Sequence, residues 1–91
     1  MHFSFDSDKN NRNIAERGLS FTLAEQLDWF SALIEEDVRK NYGERRFFVL
    51  GLIGKRLHAM VFTPRADKVH IISLRKANKR EVATYEQKTK P

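Results

Sequence analysis

The stretch from Arg45 to Lys76, "RRFFVLGLIGKRLHAMVFTPRADKVHIISLRK", decides the fold, because its apolar residues recur with a period of two and not with the helical 3.6. It reads as three strands over residues 45–53, 56–63 and 69–75. Gly54-Lys55 supplies the first turn, and the run from Pro64 to Lys68 the second. In the middle strand Leu57, Ala59 and Val61 share one side, while Arg56, His58, Met60 and Phe62 share the other. One side looks fully apolar and the other mixed. The last strand, "VHIIS", then passes straight into Arg75, Lys76, Lys79 and Arg80, so the most core-like segment ends in a cluster of cations.

Working outward, "FSF" at Phe3–Phe5 alternates and suits a short edge strand. Asp6 or Ser7 can cap a polar helix that runs to about Arg17, with Ile14 and Ala15 as its core contacts and Gly18 as a left-handed C-terminal cap. Ser20 or Thr22 starts a second helix, with Thr22 and Glu25 at capping-box spacing and Leu23, Leu27 and Phe30 as its apolar stripe. Ala32–Asp37 fits either a fourth strand or a continuation of that helix. Asn78 and Glu81 provide the cap and N3 partner of a last helix bearing Val82 and Tyr85.

This order predicts one α+β domain over residues 1–91: a small antiparallel sheet, two N-terminal helices and one C-terminal helix. The helices are expected on one face, leaving the other for a partner or substrate, with the cations gathered at one rim.

Composition narrows function further. At 91 residues the chain has no room for a cofactor domain beside a substrate domain, and no cofactor is expected. The absence of Cys removes disulfides, thiolate nucleophiles and Cys-ligated zinc, and suits a reducing cytoplasm. No apolar run approaches the roughly 18 residues that span a bilayer, so no membrane partner is expected. Residues 1–44 carry 5 Lys and Arg against 9 Asp and Glu, whereas residues 45–91 carry 12 against 3. A polyanion is therefore expected on the second half.

His2, His58 and His70 have neither helical pairing nor a neighbouring carboxylate pair, which argues against a metal site. The glycines of "GLIG" lack the Lys-Ser/Thr of a phosphate loop. What remains is Arg, Lys, Glu, Tyr and His around a basic sheet, a set able to cleave RNA without metal. The ribose 2′-hydroxyl supplies the nucleophile, so the protein must accept its proton, stabilise the phosphorane and help the 5′-oxygen leave. Glu44, Arg46, Arg65, Arg75, Lys76 and Tyr85 are the candidates.

The order of motifs is also familiar. "FSFDSDKNNRNIAERGLSFTLA", "YGERRFFVLGLIGKRL" and "MVFTPRADKVHIISLRKANKREVATYE" together resemble the BrnT family, toxins of bacterial type II toxin-antitoxin systems. The resemblance implies a RelE-like ribonuclease fold, RNA cleavage that halts translation, and neutralisation by a BrnA-type antitoxin in a hetero-oligomer. The family motifs fall on Glu44 and Arg46, Arg65, Arg75 and Lys76, and Glu81 and Tyr85. Arg17 stands where the family commonly has His, and His70 where it tends to have Arg. Arg65, Arg75 and Lys76 are then expected to hold the scissile phosphate, Glu44 or His70 to accept the proton, and Tyr85 to position or donate. Arg46, Lys79 and Arg80 would contact RNA. A non-catalytic module that grips an acidic antitoxin or nucleic acid is the alternative. The antitoxin is expected across the basic rim or, failing that, on an open apolar face around Met60 and Phe62.

Overall fold

A computed structural model describes all residues, Met1–Pro91. The strands are β1 (His2–Phe5), β2 (Leu33–Asp37), β3 (Arg46–Ile53), β4 (Arg56–Arg65) and β5 (Lys68–Lys76), and the helices α1 (Ser7–Arg17) and α2 (Lys79–Lys88). They form one five-stranded sheet in the order β1-β5-β4-β3-β2. The three long strands pair antiparallel as their alternation predicts, and Ala32–Asp37 resolves as strand. The sheet is nevertheless mixed, because β1 lies parallel to β5 with Phe3 opposite Val69 and Phe5 opposite Ile71. A hairpin turn could not make that pairing; α1 and the segment after it carry the chain over the sheet first.

The second predicted helix is instead a 3-10 segment, Phe21–Gln26. Its buried residues Phe21 and Ala24, with Leu27 at its C-cap, are spaced by three, which is the period of a 3-10 turn and not of an α-helix. Leu27 then adopts extended angles and bridges to Ile53, while Asp28 donates its amide to the Leu52 carbonyl. Phe30, expected on an apolar stripe, is fully exposed. A Cβ on Gly51 would fall 2.8 Å from Leu27 Cδ2, so position 51 of β3 is a glycine because Leu27 lies across it.

In α1, Gly18 provides the left-handed cap at φ 69° as expected, and Asp6 is the N-cap. The buried residue is not Ile14, which is exposed, but Asn13. Its side-chain amide donates to the Leu19 carbonyl at 2.8 Å and to the Leu74 carbonyl at 3.0 Å. A polar side chain thus ties α1 to the outer edge of β5, beyond the reach of the short β1.

Both faces of the sheet are covered, in unequal measure. The main core holds Phe21, Leu27, Val49, Met60, Ile71 and Leu74, under α1 and the 3-10 segment. On the opposite face Leu50, Leu57, Ala59 and Ala77 pack against Val82 and Tyr85 of α2. The expectation that all helices share one face is therefore incorrect: the set Leu57/Ala59 needed its own cover, and α2 supplies it. Met60 is fully buried, so no open apolar face exists around it. The second turn is also tighter than predicted, since β4 runs to Arg65 and only Ala66 and Asp67 separate it from β5. Pro64 is tolerated because β4 outruns β3 there: the β3 ladder ends at Phe47–Phe62, so no ladder bond on that side needs its missing N–H.

Asn13→Ala is expected to lower unfolding free energy by about 2 kcal/mol or more, because it leaves two buried carbonyls without donors. Urea denaturation followed by circular dichroism measures it; a loss within error of zero would show that water replaces the amide.

Candidate active site

Alternation along the strands sends His70 to the face opposite the main core, together with Thr63, Val61, Phe48 and Arg46. Helix α2 covers only the hairpin end of this face, so its middle and far end stay open. The irregular pairing of β4 with β5 between Val61 and Phe62 adds one residue to β5, which lets Ile71 and Leu74 both reach the main core. The same bulge keeps His70 and Arg75 on the open side.

At the far end of the face, four predicted residues converge. Glu44 lies 3.3 Å from Arg65 and 3.9 Å from Arg46. His70 Nδ1 is 2.9 Å from the Ser4 hydroxyl, which the β1–β5 register places directly opposite. Burial, and then the Arg65 charge, hold the His70 pKa below its ordinary value; Glu44 opposes them. The environment thus favours the neutral ring. Arg46 stacks on the Tyr42 ring at 4.1 Å, and its Nε has no hydrogen-bond partner. Tyr42 in turn donates to Asp37, whose carboxylate is forked by Arg39 and held well below the usual range chiefly by those bonds.

Arg75 lies elsewhere on the same face, five residues along β5 and roughly 15 Å from His70 at about 3.3 Å per residue. It makes a bidentate pair with Glu81 at 2.7 and 2.9 Å. Glu81 also accepts from the Asn78 amide, closing the predicted capping box of α2, and its pKa is lowered chiefly by Arg75. A cavity of about 470 Å³ opens beside this pair, floored by Phe48 and Val61 and walled by Asp37 and Arg39.

The structure does not gather the remaining cations into one rim. Arg65 pairs with Lys68 at one end of the hairpin, whereas Lys76 pairs with His58 at the other. Strand alternation turns Lys76 away from Arg75 toward the opposite face. Lys79 and Arg80 are exposed on α2. Tyr85 donates its hydroxyl to the Ser31 carbonyl at 3.0 Å and packs beside Leu57, so it anchors α2 to the loop before β2. Sequence reasoning missed Ser4, Tyr42 and Asp37. Ser4 was legible in principle, as the polar residue between two inward phenylalanines.

No group of three His, Asp or Glu side chains is placed to hold a metal ion. No helix is long and apolar enough to cross a membrane. A mixed five-stranded sheet with one partly open face, lined by arginines, an imidazole and arginine-bound carboxylates, defines a small α+β domain. Residues 5–81 match the family model described as "Ribonuclease toxin, BrnT, of type II toxin-antitoxin system", and the chain belongs to that family. It is thus a ribonuclease toxin by family, and its class implies an antitoxin protein as partner. No match was found among curated proteins.

The folded state favours the neutral form of His70, so its contribution to stability is intact above about pH 6.5 and is lost as pH falls through the lowered pKa. In an NMR titration the His70 ring is expected to titrate below that value, and Arg65→Gln should move its midpoint upward. A wild-type midpoint at or above it would remove Arg65 from the imidazole's surroundings.

Proposed function

We propose that this chain is a metal-independent, cytoplasmic endoribonuclease whose reaction takes place at the Glu44–Arg46–Arg65–His70 end of the open face. The observation that carries the reading is an imidazole, bonded to Ser4, set among two arginines and a carboxylate on the part of the face that α2 leaves uncovered. When Nδ1–H donates to the Ser4 hydroxyl, Nε2 is left as the acceptor. It takes the proton of a ribose 2′-hydroxyl as that oxygen attacks the adjacent phosphorus. The 5′-oxygen leaves and is protonated by water, and a 2′,3′-cyclic phosphate remains. Arg46 and Arg65 stabilise the phosphorane, since their hold on Glu44 is loose enough to be shared.

Arg75 binds a flanking phosphate by exchanging one carboxylate for another anion, and Tyr85 positions α2. Lys79 and Arg80 extend the field along the RNA. Metal independence is supported by the carboxylates at this face, which are already held by cations: Asp37 by Arg39, Glu44 by Arg65, Glu81 by Arg75 and Glu35 by Lys88. A BrnA-type antitoxin and a toxin–antitoxin hetero-oligomer complete the proposal. The second reading, a binding module without turnover, is favoured by that same pairing, which engages the arginines that would otherwise stabilise the phosphorane.

Cleavage of a fluorescent RNA by purified protein tests these readings. Activity should survive excess EDTA, and loss that one divalent ion restores would end the metal-free mechanism. Arg65→Ala and Arg46→Ala should each lower kcat by about a hundredfold, the usual effect of removing one transition-state donor. Arg75→Ala should act mainly on KM, and Lys76→Ala should have little effect. His70→Arg separates base from cation: abolished cleavage identifies the base, whereas retained cleavage leaves the ring a purely electrostatic role. RNA binding with no product from wild type would select the binding module.

A further inference from the structure

The largest cavity, about 780 Å³, lies not on the open part of the arginine face but at its covered end, between α2 and the β3–β4 hairpin. Its floor is Leu52, Leu57, Val82 and the side of Tyr85, and its rim is Lys55, Arg56 and Lys79. All three rim cations are exposed, and none has a carboxylate within ion-pair distance. This contrasts with Arg39, Arg45, Arg65 and Arg75, which all do. Arg56 is fixed in place by donating to the Ala77 carbonyl at 3.2 Å. The only acidic residue of the lining is Glu86. An apolar trough edged by unneutralised cations recognises an amphipathic segment whose apolar side chains fill the floor and whose carboxylates meet the rim.

We propose that this groove docks an acidic, leucine-rich segment of the antitoxin, a site that rests on the family's type II partnership but not on any catalytic assignment above. RNA fits it poorly. The only aromatic side chain present, Tyr85, is anchored through its hydroxyl and packed against the second core, which leaves no stacking platform for bases. A second copy of the chain also fits poorly. Its exposed apolar-acidic segment is Ile34–Val38, and there Glu36 and Asp37 are already forked by Arg45 and Arg39. Docking in the groove presses on α2 from the side away from Arg75, so it holds α2 down and with it the Glu81 carboxylate on Arg75.

The probe is a labelled helical peptide of roughly four turns, with Leu at i, i+3, i+4 and i+7 and Glu elsewhere. Its controls are the same peptide with Lys for Glu, and a short single-stranded RNA. Fluorescence anisotropy should show binding of the Glu peptide only, weakening severalfold between about 50 and about 300 mM salt. Lys55→Glu, in an exposed turn, should weaken it about tenfold and admit the Lys peptide, as expected for a rim charge reversed. Val82→Asp should abolish binding, with circular dichroism to confirm folding. The same Lys55→Glu change should loosen the co-purified toxin–antitoxin complex.

Equal affinity for both peptides, indifference to Lys55→Glu, or RNA binding that Lys55→Glu removes would each overturn the proposal. RNA cleavage by Lys55→Glu should match wild type, which keeps this test apart from the activity. If wild type binds the peptide yet cleaves nothing, the ribonuclease mechanism falls and the groove stands.

Discussion

The central strand β4 is buried on both sides over its first half, and the rest of the molecule follows from that constraint. Leu57 and Ala59 on one side and Met60 on the other all lack solvent, so two separate layers must cover one short sheet. A chain of this length can build only one full layer, made by α1 and the 3-10 segment. The second is a single ten-residue helix, too short to cover the whole face. Beyond its reach the strands carry Arg46, Arg65 and His70 in place of aliphatic residues, over a buried Thr63 that donates to the Arg45 carbonyl. The open face is thus what remains after a small core has been closed at one end, and polar chemistry occupies the part that burial could not.

Strand content was readable wherever apolar residues alternated over a long run, as in β3, β4 and β5. The cap of α2 was readable because Asn78 and Glu81 stand at a spacing with one structural meaning. The 3-10 segment was not, since Leu23, Leu27 and Phe30 match a helical stripe as well as Phe21, Ala24 and Leu27 match a tighter one; only packing against Gly51 separates them. Asn13 was overlooked for a similar reason. Hydrophobic periodicity weighs Ile14 above it, yet the free edge of β5 needed a donor and not a methyl group. The parallel placement of β1 left no local trace at all, because its partner lies far along the chain.

At the site, residue types were legible and their grouping was not. Adjacent cations such as Arg75 and Lys76 look like a cluster in sequence, but strand alternation sends them to opposite faces. Arg65 and His70, separated by a turn, come together because the turn is tight. Charge pairing then sorts the arginines into those already holding a carboxylate and those left with free capacity. Arg75 belongs to the first kind, and Glu81 joins its state to the integrity of the α2 cap. Electrostatics on this molecule is therefore a question of exchange between partners, and net charge alone describes it badly.

The pairing of β1 with β5 has a consequence for the order of folding. Ser4 and His70, which share a hydrogen bond, are 66 residues apart, so β1 waits for β5 before it can be placed. Contacts this distant close late, after the local hairpins have formed. A chain folded only as far as β4 has the N-terminal strand without its ladder and the imidazole not yet in place. The molecule thus completes its arginine–histidine cluster only once β5 has joined the sheet, and a product truncated before β5 carries Arg46 and Arg65 without the geometry that organises them.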